Sequence, residues 1–199
     1  QFLFDQKTGR LTANTPPVVQ LKPGTGPRHL ITSPDNRLVY LLNELTATVT
    51  TLALDGKTGL LTEAKSVSAL PPESKLVPGA PRGAEAPKRN RDNDIWASDL
   101  HVTPPGKFLY AAERTSSTIG AFPVDHASGE LTYLGSTPTE KQPRGFGIDP
   151  TGRYMVVSGE KSETLSTYAI DPASGALKRI GQFPTGKGSN WVEIVSFDR

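Results

Sequence analysis

Arginine, histidine and acidic residues flank the apolar runs of the segment from Gly26 to Glu44, GPRHLITSPDNRLVYLLNE. Arg28 and His29 precede the first apolar run, and Glu44 follows the second. A guanidinium fork suits a carboxylate or a phosphate group, and an acid or a histidine beside it can move a proton. The segment therefore carries the residue types for acid–base chemistry on a small anionic molecule.

Comparable residues occupy matching places in two later segments. If the three segments meet at one rim, that rim collects cations, acids and two histidines. Its members are Arg28, His29, Glu44, Asp99, His101, Glu113, Arg114, Arg144 and Lys161, followed by Trp191. Such a rim would bind a small anion. The chain has three histidines and no cysteine, and no spacing typical of a metal site stands out.

Most of these residues also have a purely structural interpretation. Arg28 and Arg144 could bond loop carbonyls or pair with an acid of a neighbouring sheet. Glu44 and Arg114 occupy one repeat position and could be mutual partners in a bridge. The histidines could be ordinary hydrogen-bonding side chains, and Asp99 could cap a turn. The tryptophans fit packing at least as well as ligand stacking.

Two sequence repeats indicate the strands and turns that must position these residues. The pattern Asp-x-x-Ser/Thr-Gly-x-Leu occurs four times, starting at Asp5, Asp55, Asp125 and Asp171. Asp, Ser and Thr side chains hold turns through nearby backbone groups, and Gly accepts the left-handed conformation of a tight hairpin. A second repeat, aligned on its proline, relates RHLITSPDNRLVY, SDLHVTPPGKFLY and RGFGIDPTGRYMV. Each copy is typical of a strand, a turn and a second strand.

The spacing of the prolines sets the repeating unit. Pro150 follows Pro104 by 46 residues, and Pro104 follows Pro34 by 70. The additional length of the interval from Pro34 to Pro104 matches the proline-rich stretch 71–95, which we interpret as an inserted loop. The unit is a four-stranded antiparallel meander, and its first copy has strands predicted near 28–33, 38–43, 47–54 and 60–67. A period in the forties built from short strands is typical of a β-propeller blade. A β-sandwich is the alternative, but it would not require one turn sequence at the same place in every unit.

The predicted fold is all-β, a partial ring of four-stranded antiparallel propeller blades. The predicted parts are the outer strands of a blade at 1–25, full blades at 26–70, 96–140 and 141–187, the inserted loop at 71–95, and the inner strand of the next blade at 188–199. Propellers have about four to eight blades. Either the chain belongs to a larger ring or its two ends pair into a composite blade. We favour the larger ring, because the composite blade would lack a strand, and another chain, a fragment or a second copy could supply the missing blades.

Composition narrows the classes of function. The formal net charge of +2 is too small to indicate a nucleic-acid partner. No apolar run is long enough to span a bilayer, and no signal peptide is recognisable. The absence of cysteine excludes a disulfide framework and permits the cytoplasm. Since the chain opens on Gln1 and not Met, we expect that preceding sequence is missing.

Three segments carry a resemblance to a known family. They are GPRHLITSPDNRLVYLLNE, WASDLHVTPPGKFLYAAERTSS and QPRGFGIDPTGRYMVVSGEKS. They resemble the bacterial seven-bladed propeller lactonases, the propeller-type 6-phosphogluconolactonases, which are relatives of the fungal carboxy-cis,cis-muconate cyclases. The resemblance implies that the chain is the C-terminal part of such a protein, a little over half of it. In the cyclases, an arginine and a glutamate of the proposed site match Arg28 and Glu44, and a further arginine matches Arg114. The family's remaining histidine lies in an earlier blade.

The resemblance implies hydrolysis of 6-phosphoglucono-δ-lactone to the open acid, a cytoplasmic step of the pentose phosphate pathway that needs no cofactor. In this hypothesis Arg28, Arg114 and Arg144 hold the phosphate and stabilise the oxyanion, with Asp99, Lys161 and Trp191 as further substrate-binding candidates. Glu44, His29 or His101 activates the attacking water. A carboxymuconate cycloisomerase and a non-catalytic binding scaffold remain alternatives.

Overall fold

The computed structural model describes residues 1–81 and 90–197, and their regular structure consists of β-strands joined by turns and loops. Twelve of the strands form three four-stranded antiparallel sheets, in which each strand pairs with the next along the chain. The four-stranded meander predicted from the repeats is therefore confirmed. None of the described residues belongs to a helix that could cross a membrane.

The strands are numbered in chain order. A separate two-stranded sheet contains β1 (Phe2–Asp5) and β2 (Arg10–Ala13). The first sheet contains β3 (Pro27–Thr32), β4 (Leu38–Asn43), β5 (Thr48–Leu54) and β6 (Leu61–Ser68). The second contains β7 (Ala97–Val102), β8 (Phe108–Glu113), β9 (Thr118–Pro123) and β10 (Gly135–Pro138). The third contains β11 (Pro143–Ile148), β12 (Tyr154–Gly159), β13 (Thr164–Ile170) and β14 (Leu177–Pro184).

The Asp-x-x-Ser/Thr-Gly turns form as the repeat predicts. In the first sheet, Oδ1 of Asp55 accepts hydrogen bonds from the backbone N–H groups of Lys57 and Thr58, at 2.8 and 3.0 Å. Gly59 then takes a φ of +69°, a conformation that costs other residues free energy because their Cβ clashes. This local chemistry ends β5 and starts β6.

The hydrophobic core lies between successive sheets. Strand β8 is buried along its whole length because it packs between the first and third sheets. The core between the first and second sheets includes Tyr40, Leu42, Val49, Leu100, Leu109 and Phe122. The core between the second and third includes Phe108, Tyr110, Ile119, Phe146, Met155 and Tyr168. Burial on two faces explains the continuous apolar runs that the sequence shows after each proline turn.

The two ends of the chain carry exposed apolar side chains. Strands β1 and β2 are exposed throughout. Residues 188–197 form no strand, but they run beside β11, where a Cβ added to Gly145 would lie 2.8 Å from the carbonyl oxygen of Asn190. A strand needs a hydrogen-bonded neighbour, and this segment has none among the described residues. The assignment of the ends to incomplete blades stays a prediction.

The segment interpreted as an inserted loop is partly ordered by contacts with the sheets. Val77 pairs with Asp94 in an isolated parallel bridge, and the backbone N–H of Gly79 donates to the carbonyl of Leu45 at 2.8 Å. These contacts bring 77–81 to the start of the first and second sheets. The part of the prediction that concerns 82–89 lies outside the described residues.

Candidate functional site

β-Bulges mark the start of the innermost strand of each sheet. The pairing register of β3 with β4 shifts between Pro27 and His29, and that of β11 with β12 shifts between Pro143 and Gly145. The extra residues are Arg28 and Arg144. A bulge bends its strand and re-aims a side chain, so the bulges turn both arginines out of the regular alternation of their strands.

The loop after the second strand of each sheet returns to the same edge. The backbone N–H of Glu44 donates to Gly26 O at 2.7 Å, and that of Arg114 donates to Trp96 O at 3.1 Å. Glu160 makes the corresponding 2.9 Å bond in the third sheet. Residues of one repeat position therefore reach one edge through the same backbone contact, although their side chains differ in charge.

A cavity of about 570 Å³ opens at this edge. Among the described residues, its lining combines three cationic side chains, one carboxylate and an indole with apolar residues. The lining residues are Gly26, Pro27, Arg28, Glu44, Leu45, Ala80, Pro81, Trp96, Arg114 and Arg144. The structure thus brings together four of the residues predicted from the sequence, Arg28, Glu44, Arg114 and Arg144.

Glu44 lies between two of the arginines. Its Oε1 accepts a hydrogen bond from a terminal nitrogen of Arg114 at 2.5 Å and lies 3.8 Å from Nε of Arg28. Nε of Arg28 is buried and has no hydrogen-bond partner within 1–81 and 90–197. In the third sheet, Arg144 pairs with Glu160 at 3.5 Å, and both side chains are partly exposed. The mutual pairing of Glu44 and Arg114 is the contact that their shared repeat position suggested.

Arg114 is the most constrained cation of the cavity. Its Nε donates to Trp96 O at 3.2 Å, and its guanidinium carbon lies 4.7 Å from the centroid of the Trp96 ring. Burial is the main cause that lowers the pKa of Arg114, and the nearby charges of Arg28 and Arg144 lower it further, whereas Glu44 and Glu160 raise it. The cavity therefore holds clustered positive charge that an anion would relieve.

The two histidines gather around Asp99 and not around the cavity. Asp99 is 5% exposed. Its Oδ1 lies 3.1 Å from Nδ1 of His29, and its Oδ2 lies 3.2 Å from both Nε2 of His101 and the backbone nitrogen of Phe146. Burial raises the pKa of the Asp99 carboxyl, but the hydrogen bonds and charge of His101 and the bond from His29 outweigh it and lower that pKa below its ordinary value. None of the three lines the cavity.

Lys161 and Trp191 also lie outside the cavity lining. Lys161 is exposed, and Trp191 is 66% exposed. Glu113, placed on the rim by the repeat, is buried, and it accepts hydrogen bonds from the backbone nitrogens of Trp96 and Ser116. It therefore supports the loop that carries Arg114.

Sequence reasoning missed the contribution of Ala80 and Pro81 to the lining. They belong to the stretch interpreted as an inserted loop, and no repeat or charge pattern singles them out. Within 1–81 and 90–197, no cluster of three or more His, Asp or Glu side chains has the arrangement of a metal site.

Comparison with known proteins agrees with this architecture. The family described as "Lactonase, 7-bladed beta-propeller" matches residues 1–194. The 6-phosphogluconolactonase of Pectobacterium carotovorum is 34% identical over 191 residues, which are 96% of this chain and 52% of that protein. The periplasmic gluconolactonase of Pseudomonas aeruginosa superimposes with a TM-score of 0.77 at 30% identity, over 92% of this chain and 47% of that one.

A crystal structure of a Lactobacillus plantarum protein superimposes with a TM-score of 0.79 at 26% identity, over 96% of this chain and 50% of its own length. The chain thus spans about half the length of the relatives it matches. The three four-stranded sheets are propeller blades. The partial-propeller fold predicted from the repeats is confirmed, and so is the family resemblance drawn from the three segments. The chain belongs to the seven-bladed β-propeller lactonase family.

Proposed function

We propose that the complete protein containing this chain hydrolyses a sugar-acid lactone, with 6-phosphogluconolactone as its substrate and 6-phosphogluconate as its product. The observation that carries the proposal is the cavity lined by Arg28, Arg114, Arg144 and Glu44, in which Glu44 pairs with Arg114 and Arg28. The relative from Pectobacterium carotovorum bears the name of this activity. A phosphorylated lactone offers both an anion for the arginines and a carbonyl that a water molecule can attack.

The arginines supply binding and electrostatic stabilisation in this mechanism. Among the described lining residues, three guanidinium groups accompany one carboxylate, and this excess of positive charge suits the phosphate. As water adds to the lactone carbonyl carbon, the carbonyl oxygen becomes an oxyanion. A preorganised guanidinium stabilises this charge without reorganising. Arg114, fixed by Trp96 and Glu44, is the best preorganised donor for it.

Glu44 is our candidate for the general base. Its Oε1 holds the two arginines, and among the described residues its Oε2 accepts no hydrogen bond, so this oxygen can bind the attacking water. Glu44 takes the water proton, and the tetrahedral intermediate then expels the ring oxygen. The same proton passes to that oxygen, which completes the hydrolysis. His29 and His101 were the alternatives, and their contacts with Asp99 outside the cavity lining disfavour them.

The remaining blades of the ring are proposed to cover the exposed apolar ends of the chain. Phe2 and Phe4 are 65% and 61% exposed at one end, and Phe197 is 86% exposed at the other. Relatives twice as long would supply blades for both faces within one polypeptide. A cytoplasmic location goes with the proposed reaction, and the periplasmic relative from Pseudomonas aeruginosa makes cell fractionation the appropriate test.

The test is turnover by the full-length protein. Purified protein is mixed with 6-phosphogluconolactone, with the unphosphorylated lactone and with a carboxymuconate, and the uncatalysed rates are subtracted. We expect turnover of the phosphorylated lactone and its loss in Arg28→Ala and Glu44→Gln. Turnover of the carboxymuconate alone would indicate a cycloisomerase. Binding of anions without turnover would indicate a scaffold, and full turnover by both variants would refute the site.

A further inference from the structure

The Asp99 carboxylate connects the inner strands of all three blades. His29 comes from β3, Asp99 and His101 from β7, and Phe146 from β11. Oδ1 also accepts the backbone N–H of Leu100 at 3.0 Å. Both carboxylate oxygens therefore receive two donors each, and the group has little capacity left for a substrate.

The donors and acceptors fix the proton on the His29 ring. A carboxylate only accepts hydrogen bonds, so Nδ1 of His29 must carry the proton that faces Asp99 at 3.1 Å. A terminal nitrogen of Arg28 lies 3.3 Å from Nε2 of the same ring. Arginine only donates, so Nε2 must be unprotonated. The neutral Nδ1–H tautomer of His29 satisfies both contacts. The imidazolium cation satisfies only the contact with Asp99, and the neutral Nε2–H tautomer satisfies neither.

The Arg28 guanidinium depends on this acceptor. In the part of the chain that the structure describes, its Nε has no hydrogen-bond partner, and its ion pair with Glu44 is long, at 3.8 Å. Among the described residues, Nε2 of His29 is the one side-chain acceptor within hydrogen-bond distance of Arg28. Arg28 lines the cavity and Asp99 does not.

We propose that Asp99 is a positioning residue of the anion-binding cavity, acting through His29. Its carboxylate selects the Nδ1–H tautomer of His29, and Nε2 of that ring then holds the Arg28 guanidinium toward the cavity. His101 and the Phe146 backbone fix the carboxylate in turn. The effect of Asp99 on catalysis rests on the proposed function. The His29 tautomer and the anion affinity can be measured without turnover.

The first test is the protonation of the His29 ring in the full-length protein. Nitrogen chemical shifts of ¹⁵N-labelled histidine, assigned with His29→Gln, report which ring nitrogen carries the proton. At neutral pH we expect a protonated Nδ1 and an unprotonated Nε2. In Asp99→Asn we expect this selection to be lost, because the amide has only one acceptor oxygen for four donors. A protonated Nε2 in the unchanged protein would overturn the proposal.

The second test is the affinity for inorganic phosphate, measured by calorimetry. We expect Asp99→Asn to weaken binding about tenfold, the scale of one hydrogen bond to a charged group. His29→Gln keeps an amide oxygen where Nε2 stood, so it should stay within about threefold of the unchanged protein. In that background Asp99→Asn should add less than about twofold, since coupled residues are not additive. A full tenfold effect in both backgrounds would overturn the route through His29.

Glu140→Gln is the matched control. Glu140 is also 5% exposed and accepts several hydrogen bonds, including one from Ser166 at 2.6 Å, but it does not line the cavity. This variant should leave phosphate affinity unchanged. If it weakens affinity as Asp99→Asn does, the effect is a general loss of packing and the proposal fails. A protein that shows the expected tautomer and affinities but hydrolyses no lactone would refute the proposed function and leave this inference standing.

Discussion

Replacing Glu44 by Gln separates the two roles that its position allows. Glutamine has the same shape and keeps an oxygen that can accept from Arg114, but it cannot take a proton from water. If Glu44 is the general base, turnover must collapse. If Glu44 only bridges Arg28 and Arg114, the variant should lose stability and little else.

The two roles differ in magnitude. A hydrogen bond to a charged group contributes about 1.5–3 kcal/mol and a neutral one about 0.5–1.5 kcal/mol. The Glu44 side chain is 29% exposed, so solvent screens part of the difference. We therefore expect the free energy of unfolding to fall by about 1 kcal/mol. Loss of a general base lowers the rate by about 10²- to 10⁴-fold, equivalent to about 3–5 kcal/mol of transition-state stabilisation.

The assay compares kcat/KM for 6-phosphogluconolactone with urea denaturation of the same preparations. Glu160→Gln is the matched control, because Glu160 occupies the same repeat position and pairs with Arg144, and its side chain is 32% exposed. Glu160 does not line the cavity, so its variant should keep kcat/KM within about threefold. A loss of less than about tenfold in Glu44→Gln would refute the base assignment and leave Glu44 as a bridge.

Three further predictions concern other parts of the chain. Because the pKa of Asp99 is lowered in the folded protein, its contribution to stability is present above about pH 4 and is lost as pH falls further. In urea denaturation from pH 5 to pH 2, the free energy of unfolding should therefore decline less steeply for Asp99→Asn than for the unchanged protein. An equal decline in the two proteins would contradict the pKa shift. Gly175→Ala should lower the free energy of unfolding by about 2–4 kcal/mol, because its Cβ would lie 2.6 Å from the Phe108 ring. Gly59 has a similar φ, and its added Cβ would meet only Nδ2 of Asn14 at 3.9 Å, an ordinary contact. Gly59→Ala should therefore cost only about 1–2 kcal/mol, and equal losses in the two variants would exclude the clash. Arg144→Gln should weaken phosphate binding about three- to tenfold, which is less than the loss of a buried cation would cause, because Arg144 is partly exposed. Calorimetry at two salt concentrations measures this affinity. An unchanged affinity would remove Arg144 from the site.

The repeats predicted the fold because each copy encodes its own local structure. The turn at Asp55 forms through bonds between that side chain and the next residues, and Gly59 supplies the positive φ. Such contacts span a few residues, so they can be read along the chain. The strands of the first sheet lie within one residue of their predicted limits for the same reason.

The candidate site was predicted only in part, because it depends on how blades pack together. The repeat placed Arg28, Glu44, Arg114 and Arg144 at one edge, and the cavity contains all four. It could not show that Asp99 turns away from the cavity to meet His29, since that contact crosses from one blade to the next.

The departures between copies explain why the site belongs to the group of blades and not to any one of them. Glu44 and Arg114 reach the edge through the same backbone hydrogen bond, which does not depend on the type of side chain at that position. Opposite charges at one repeat position in adjacent blades then pair across the boundary, at 2.5 Å. A third copy, Glu160, has its own arginine within its blade. A ring of similar blades thus obtains a polar cavity by varying the side chains that its shared backbone leaves free, and blade packing, not the individual blade, fixes the geometry of the cavity.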